Sequence, residues 1–308
     1  MFDLIVIGGS FAGLSAALQL ARTRRPVLVI DAGSPRNRFA SHAHGVLAQD
    51  GRPGSAILAH ARAQLARYPN VSLWQGKVSQ AQPLVSAKIA FEVSLDDGRQ
   101  AQGRRLLLAT GVRDVLPALP GVAERWGQTV LHCPYCHGYE IGDGTGGQPI
   151  GVLGRLPASV HQASLIADWG DVTLFTHGMP PLDEDARQLL ARRKVTIEAV
   201  AVTAIEGAVP AIDGARLADG RLLPLRALFL AAPTEQASPL AAQLGCVFEE
   251  GMMGPVLQAD AMKMTSVPGV YAAGDAARAM ANITFAMGDG VMAAVGVHHA
   301  LIAEEAAG

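Results

Sequence analysis

Leu4-Ile-Val-Ile7-Gly8-Gly9-Ser10-Phe11-Ala12-Gly13, followed by the alanine-rich run from Leu14 to Arg22, decides the fold. The apolar run 4–7 reads as a buried strand, the glycines as a tight turn, and residues 14–22 as a helix. In a turn of this kind the first glycine makes the bend, the second lets the backbone approach a pyrophosphate, and the third lets helix and strand pack closely. Ser10 takes the middle position. Its side chain is small and its hydroxyl can donate to a phosphate oxygen, so Gly8, Ser10, Phe11, Ala12 and Gly13 are expected around a bound dinucleotide. A second strand, Val27 to Ile30, ends in Asp31, at the distance where an acid holds a ribose hydroxyl. A bare glycine turn can merely join a strand to a helix; with Asp31 in place the unit is complete.

The 308 residues suffice for two domains, and with 50% of them apolar each can bury its own core. A net charge of -2 leaves no basic surplus for phosphate backbones or anionic lipids, so neither nucleic acid nor membrane is expected as a partner. The N-terminus has no basic region or cleavage site, and no apolar stretch is expected to approach the roughly 20 residues of a spanning helix. A cytoplasmic location is the expectation. Of the 3 cysteines, Cys133 and Cys136 are spaced for redox work, and Cys246 reads as a small buried apolar residue.

Two later segments extend the first unit. Leu106-Leu-Leu-Ala109-Thr110-Gly111 is a strand ending in a small turn, and Gly269-Val-Tyr-Ala-Ala-Gly274-Asp275 is another, followed by an alanine-rich helix from about Met287 to Glu304. Together these segments resemble the FAD domain of the pyridine-nucleotide-disulfide oxidoreductase family. The resemblance implies that Thr110 and Gly111 pass close to FAD and that Asp275 binds its ribityl chain. It also implies an FAD domain formed by residues 1–115 and 240–308, with a second domain, 116–239, inserted. The expected fold class is therefore α/β: two Rossmann-like three-layer dinucleotide-binding domains, the second inside the first.

The inserted stretch contains Leu131-His132-Cys133-Pro-Tyr-Cys136-His137-Gly138-Tyr-Glu140. Two cysteines separated by two residues can close a small disulfide, and a helix starting at the pair favours a thiolate through its N-terminal dipole. The competing reading, half a zinc site, lacks a second cysteine pair, and no metal is expected. The position of the pair after the Ala-Thr-Gly turn resembles the low-molecular-weight thioredoxin reductases over essentially the whole chain. That resemblance implies Cys136 beside the flavin and Cys133 facing the substrate. Such reductases usually carry Cys-Ala-Thr-Cys-Asp. The Cys-Pro-Tyr-Cys-His form, with Asp31-Ala-Gly-Ser-Pro35-Arg36-Asn37 and His44-Gly45, is instead similar to the dithiol-oxidase branch, whose members close the disulfides of gliotoxin, holomycin and romidepsin. On this resemblance Arg36, Asn37, His44, Ala109, Gly274, Asn282 and Ile283 are further expected cofactor neighbours, and a homodimer is implied. His137, whose unperturbed pKa is near neutrality, is a candidate base for a thiol, and Glu140 a candidate helper.

A reductase of this kind also needs NADPH. After the strand Pro149-Ile-Gly-Val-Leu153, however, comes Gly154-Arg-Leu156-Pro157-Ala-Ser159, with leucine where close approach to a pyrophosphate calls for glycine. After Asp171-Val-Thr-Leu-Phe-Thr176 the chain reads His177-Gly-Met-Pro-Pro-Leu-Asp-Glu-Asp, with no arginine for a 2'-phosphate. FAD is expected and NADPH is doubtful. The expected function is oxidation of a small-molecule dithiol to a disulfide, with O2 as acceptor. Its rivals are a thioredoxin-disulfide reductase using NADPH or another donor, and a flavin-binding redox sensor.

Overall fold

The computed structural model describes residues 1–85, 89–142, 144 and 147–307. They form two compact units, one of Met1–Arg38, Gly54–Arg113 and Thr234–Gly308, the other of Phe39–Pro53 and Asp114–Pro233.

In the first unit, strand Phe2–Ile7 lies between Val27–Asp31 and Gln100–Leu108, parallel to both, in the register Leu4 to Val27 and Leu4 to Arg105. Leu4, Ile5 and Val6 are fully buried, which is why this strand reads as a continuous apolar run rather than an alternating one. Val71–Gln75 extends the sheet beyond Val27–Asp31. Strand Gln100–Leu108 begins six residues before its apolar run and pairs with two further strands besides Phe2–Ile7. Its first half runs antiparallel to Phe91–Leu95, and its last residues pair in parallel with Val270–Ala272. The C-terminal segment thus becomes an integral strand of a sheet begun at residue 2. Cys246 is buried, with its Sγ 3.6 Å from Thr265 Oγ1.

Helix Phe11–Ala21 starts three residues earlier than expected, directly on the phosphate turn. It packs against helix Ile283–Ala306, where a side chain at Gly290 would overlap the Ala12 carbonyl. This 24-residue helix corrects one expectation: by length and composition it could cross a membrane. In this fold it is a core element. Ala293, Ala294, Val297 and Leu301 are buried, and Glu304 and Glu305 near its end bond to Arg105, Arg104 and Arg25.

The second unit holds a parallel five-stranded sheet in the order Thr196–Glu198, Asp171–Phe175, Pro149–Leu153, Ala227–Leu230, Val130–Leu131. Helices Ala158–Ile166 and Glu184–Arg192 connect the first of these strands, and an antiparallel ribbon of Val202–Glu206, Gly214–Leu217 and Leu222–Pro224 packs beside them. Segment 39–53, expected in the first domain, groups with this unit. Gly127 approaches Phe39 so closely that an added Cβ would lie 2.6 Å from the Phe39 Cβ, and His44 faces Glu140.

Candidate active site

In the first unit the phosphate turn admits nothing larger than glycine at positions 8, 9 and 13. A Cβ at Gly8, where φ is +112°, would overlap the Ala109 carbonyl; one at Gly9 would lie 2.6 Å from the Asp31 Cβ; one at Gly13 would overlap the Gly8 carbonyl. Ser10 is extended and makes no side-chain cap on helix Phe11–Ala21, so its hydroxyl and the first-turn amides are not tied to one another. This is the arrangement that receives an anion at a helix start. Asp31 Oδ1 accepts from Gly33 N at 3.1 Å, and its Oδ2 accepts from Arg62 Nη2 at 2.6 Å. Arg62 also donates to the Gly9 carbonyl at 3.1 Å. A carboxylate has about four acceptor positions, so room remains for a ribose diol. Arg62 was not anticipated from sequence; no motif marks it, and only the placement of helix Gly54–Leu65 brings it to the turn.

The far end of the chain completes this cradle. Gly274, with φ +74°, sits so close that an added Cβ would be 3.0 Å from the Ala12 Cβ, and it sets Asp275 in the adjoining short helix Gly274–Ala277. Asp275 Oδ2 accepts from Arg36 Nη1 at 3.0 Å. Asn37 reaches Gly54, where an added Cβ would lie 3.1 Å from its Nδ2. Gly111 accepts from Ala237 N at 3.1 Å, next to Thr110 at the strand end. Asn282 caps helix Ile283–Ala306 by accepting from Thr284 N at 2.7 Å, so Ile283 is its first residue. A glycine cradle, an open helix start and two acids flanking it fit FAD, whose pyrophosphate and polyols need such partners. His44, a further expected cofactor neighbour, belongs to segment 39–53 and so to the second unit.

There Cys133 immediately precedes helix Pro134–Gly142, and a disulfide joins it to Cys136 with the Cα atoms 5.3 Å apart. Pro134 suits the first helical position, where no partner exists for an N–H. Gly138 and Gly142 let the helix lie on Trp169: a Cβ at either would come within 2.7 Å of the Trp169 ring or carbonyl. Tyr135 and Tyr139 are exposed, Tyr135 meeting the edge of Trp169. His132 stacks on Trp126 at 5.7 Å. Glu140 Oε1 lies 3.4 Å from His44 Nδ1, which is also 3.7 Å from Asp50 Oδ1. Burial holds the His137 pKa below the usual histidine value; Glu140 opposes this and His44 reinforces it. His137 is therefore mostly neutral near pH 7 and able to take a thiol proton. Among the described residues no group of three or more His, Cys, Asp or Glu side chains could hold a metal.

The turn after strand Pro149–Leu153 is closed upon itself. Ser159, fully buried, accepts through its Oγ from Arg155 N at 3.2 Å and Leu156 N at 3.4 Å. Beyond strand Asp171–Phe175, His177 Nδ1 accepts from Val202 N at 3.2 Å. The acids that follow serve a helix, Asp183 accepting from Ala186 N at 2.8 Å as its cap.

A family model described as pyridine nucleotide-disulphide oxidoreductase matches residues 2–290. Thioredoxin reductase tcpT of Claviceps purpurea (strain 20.1) is 34% identical over 299 residues, covering 94% of this chain and 91% of that protein. The crystal structure of an oxidoreductase from Agrobacterium tumefaciens is similar with a TM-score of 0.91 at 44% identity, covering 98% of both chains. The crystal structure of HlmI is similar with a TM-score of 0.90 at 37% identity, covering 99% of this chain and 94% of that one.

Proposed function

The chain belongs to the pyridine nucleotide-disulphide oxidoreductase family, as an FAD-dependent thiol-disulfide oxidoreductase, and we propose that it is a dithiol oxidase that closes a disulfide in a small molecule, with O2 taking the electrons. The observation that carries this reading is the Ser159 hydroxyl on the amides of Arg155 and Leu156. Amides that a reductase would offer to the pyrophosphate of NADPH are already engaged, and Leu156 fills the place of close approach. Electrons then enter through thiols.

A substrate thiolate attacks Cys133 Sγ; the bond between the two protein sulfurs breaks, and Cys136 leaves as a thiolate at the helix start. The second substrate thiol, having given its proton to His137, attacks the substrate sulfur of the mixed disulfide. The substrate disulfide forms, Cys133 leaves as a thiolate, and two electrons rest on the cysteine pair. FAD, which the turn Gly8 to Gly13 with Asp31 and Asp275 would hold, would supply the two-electron acceptor by which the cysteine pair returns to the disulfide, its electrons and two protons going on to O2 as hydrogen peroxide. On the family resemblance we propose a homodimer, on the N-terminal sequence a cytoplasmic location, and Cys133, Cys136, His137 and Glu140 as the residues of the chemistry.

Anaerobic mixing tests the reading. A small dithiol should bleach the flavin within turnover time, NADPH should do so far more slowly, and on admitting air one hydrogen peroxide should form per disulfide. Rapid, saturable bleaching by NADPH would replace it with a disulfide reductase, the reading that the name of the Claviceps relative favours.

A further inference from the structure

Loop 43–52 is closed by backbone bonds from Ala43 N to the Arg52 carbonyl at 2.8 Å and from Gly51 N to the Ala43 carbonyl at 2.9 Å. Val46 is buried beneath it, and Asp50 Oδ1 accepts from Gly45 N at 2.7 Å. The loop carries His44, whose Nδ1 is turned to two carboxylates: Asp50 at 3.7 Å from its own loop and Glu140 at 3.4 Å from the redox helix. The only other titratable group in ring contact is His42, 6.4 Å away between centroids among the described residues. On the redox helix His137 and Glu140 are three residues apart and so share a face. Glu140 thus pairs with an imidazole of the loop and shares a helix face with the imidazole that follows Cys136, and both Glu140 and His44 act on that imidazole.

We propose that His44 is a positioning residue of the thiol chemistry: with Asp50 anchoring its ring, it holds the Glu140 carboxylate, and the His44 and Glu140 pair governs how readily His137 takes and returns a thiol proton. This rests on the dithiol-oxidase reading of the same site and assigns His44 to proton handling instead of FAD binding. The two partners act in opposite directions. The Glu140 carboxylate favours the His137 cation, and a cationic His44 disfavours it and cancels part of the Glu140 field. The arrangement keeps His137 a neutral base while leaving a carboxylate close enough to steady the cation formed after proton transfer.

The test uses the FAD-loaded protein, the variants His44→Gln, Glu140→Gln and the double variant, and dithiothreitol as the dithiol. Flavin content should be unchanged in all three. Anaerobic bleaching at neutral pH should slow about fivefold in His44→Gln, a fraction of what a general base supplies. The rising limb of the pH profile should move up by about half a unit in His44→Gln and down in Glu140→Gln, since the pair is partly exposed and solvent screens it. The double variant should return toward the wild-type position. His44→Asn replaces His44→Gln should the longer side chain disturb the loop. A His44→Gln profile superimposable on wild type, or single variants that move in the same direction, overturns the proposal. Loss of FAD with wild-type rates in the remaining loaded protein overturns it as well, returning His44 to cofactor binding. The pH dependence of iodoacetamide alkylation of the chemically reduced cysteine pair should move in the same two directions. That reading does not depend on which way electrons flow, so wild-type flavin that dithiols fail to bleach would sink the oxidase function and leave His44 still decided.

Discussion

The side-chain oxygen of Ser159 accepts the backbone N–H of Arg155 at 3.2 Å, so the turn that would bind a second dinucleotide is capped from within. The same oxygen serves Leu156 N, and Ser159 is fully buried, so water cannot replace it.

Ser159→Ala should therefore destabilise the protein by about 1–2 kcal/mol, the usual cost of removing a hydroxyl that caps backbone amides. Chemical denaturation of the FAD-loaded protein checks this. A loss below about 0.3 kcal/mol would mean that the cap contributes nothing, since surface substitutions lie within about 0.5 kcal/mol.

Gly13→Ala should yield a colourless protein. An added methyl group would overlap the Gly8 carbonyl, and the turn cannot yield without moving the strand beneath it. Flavin content after reconstitution is the readout, and retention of a stoichiometric yellow cofactor would show that the turn is not the phosphate site.

Replacing Cys136 should leave flavin that substrate thiols cannot reduce. Cys133→Ser should instead leave a lone Cys136 thiolate and a long-wavelength absorption band with oxidised FAD. Appearance of that band in the Cys136 variant would reverse the two roles.

The depressed pKa of His137 has a sign that can be measured. Its folded value lies below its unfolded value, so the unfolded chain binds the proton first as pH falls. The stability associated with a neutral His137 is complete above the unfolded value, near 6.5, and is lost as pH falls through the lower, folded one. Half-buried His177, held below the usual histidine value by desolvation and then by Arg155, adds in the same direction. Urea midpoints should fall between pH 7.5 and 5, and by less in His137→Gln. An equal fall in the variant would assign the effect to other groups.

Much of the site is legible from local order. Gly8 to Gly13, Asp31 and the Cys133 and Cys136 pair are short-range patterns, because a strand, a turn and a helix start impose their demands within a few residues. Leu156 belongs with them, since a leucine in a turn that asks for glycine can be read without a structure. Arg62 is different. It lies on the polar side of a helix with no motif and meets Asp31 only because helix Gly54–Leu65 returns to the sheet. Ser159 reads in sequence as an ordinary residue at a helix start. The apolar run at the C-terminus reads as a helix from about Met287, but Asn282 begins it earlier by capping Thr284, and the resulting length could not be seen from composition.

Sequence alone determined that the chain carries a dinucleotide-type glycine turn and a redox cysteine pair, because both depend on residue types at fixed spacing over a short stretch of chain, and a resemblance spread over several segments implied that the dinucleotide is FAD. Tertiary structure decided which side chains those features meet. The pairing of residues 270–272 with a strand begun at residue 100, the grouping of loop 43–52 with the redox helix, and the contact of His44 with Glu140 join positions far apart in the chain. Such contacts depend on how sheets register and helices pack around a core. No local pattern encodes that, because a side chain's local preference is the same whatever distant partner the fold brings to it.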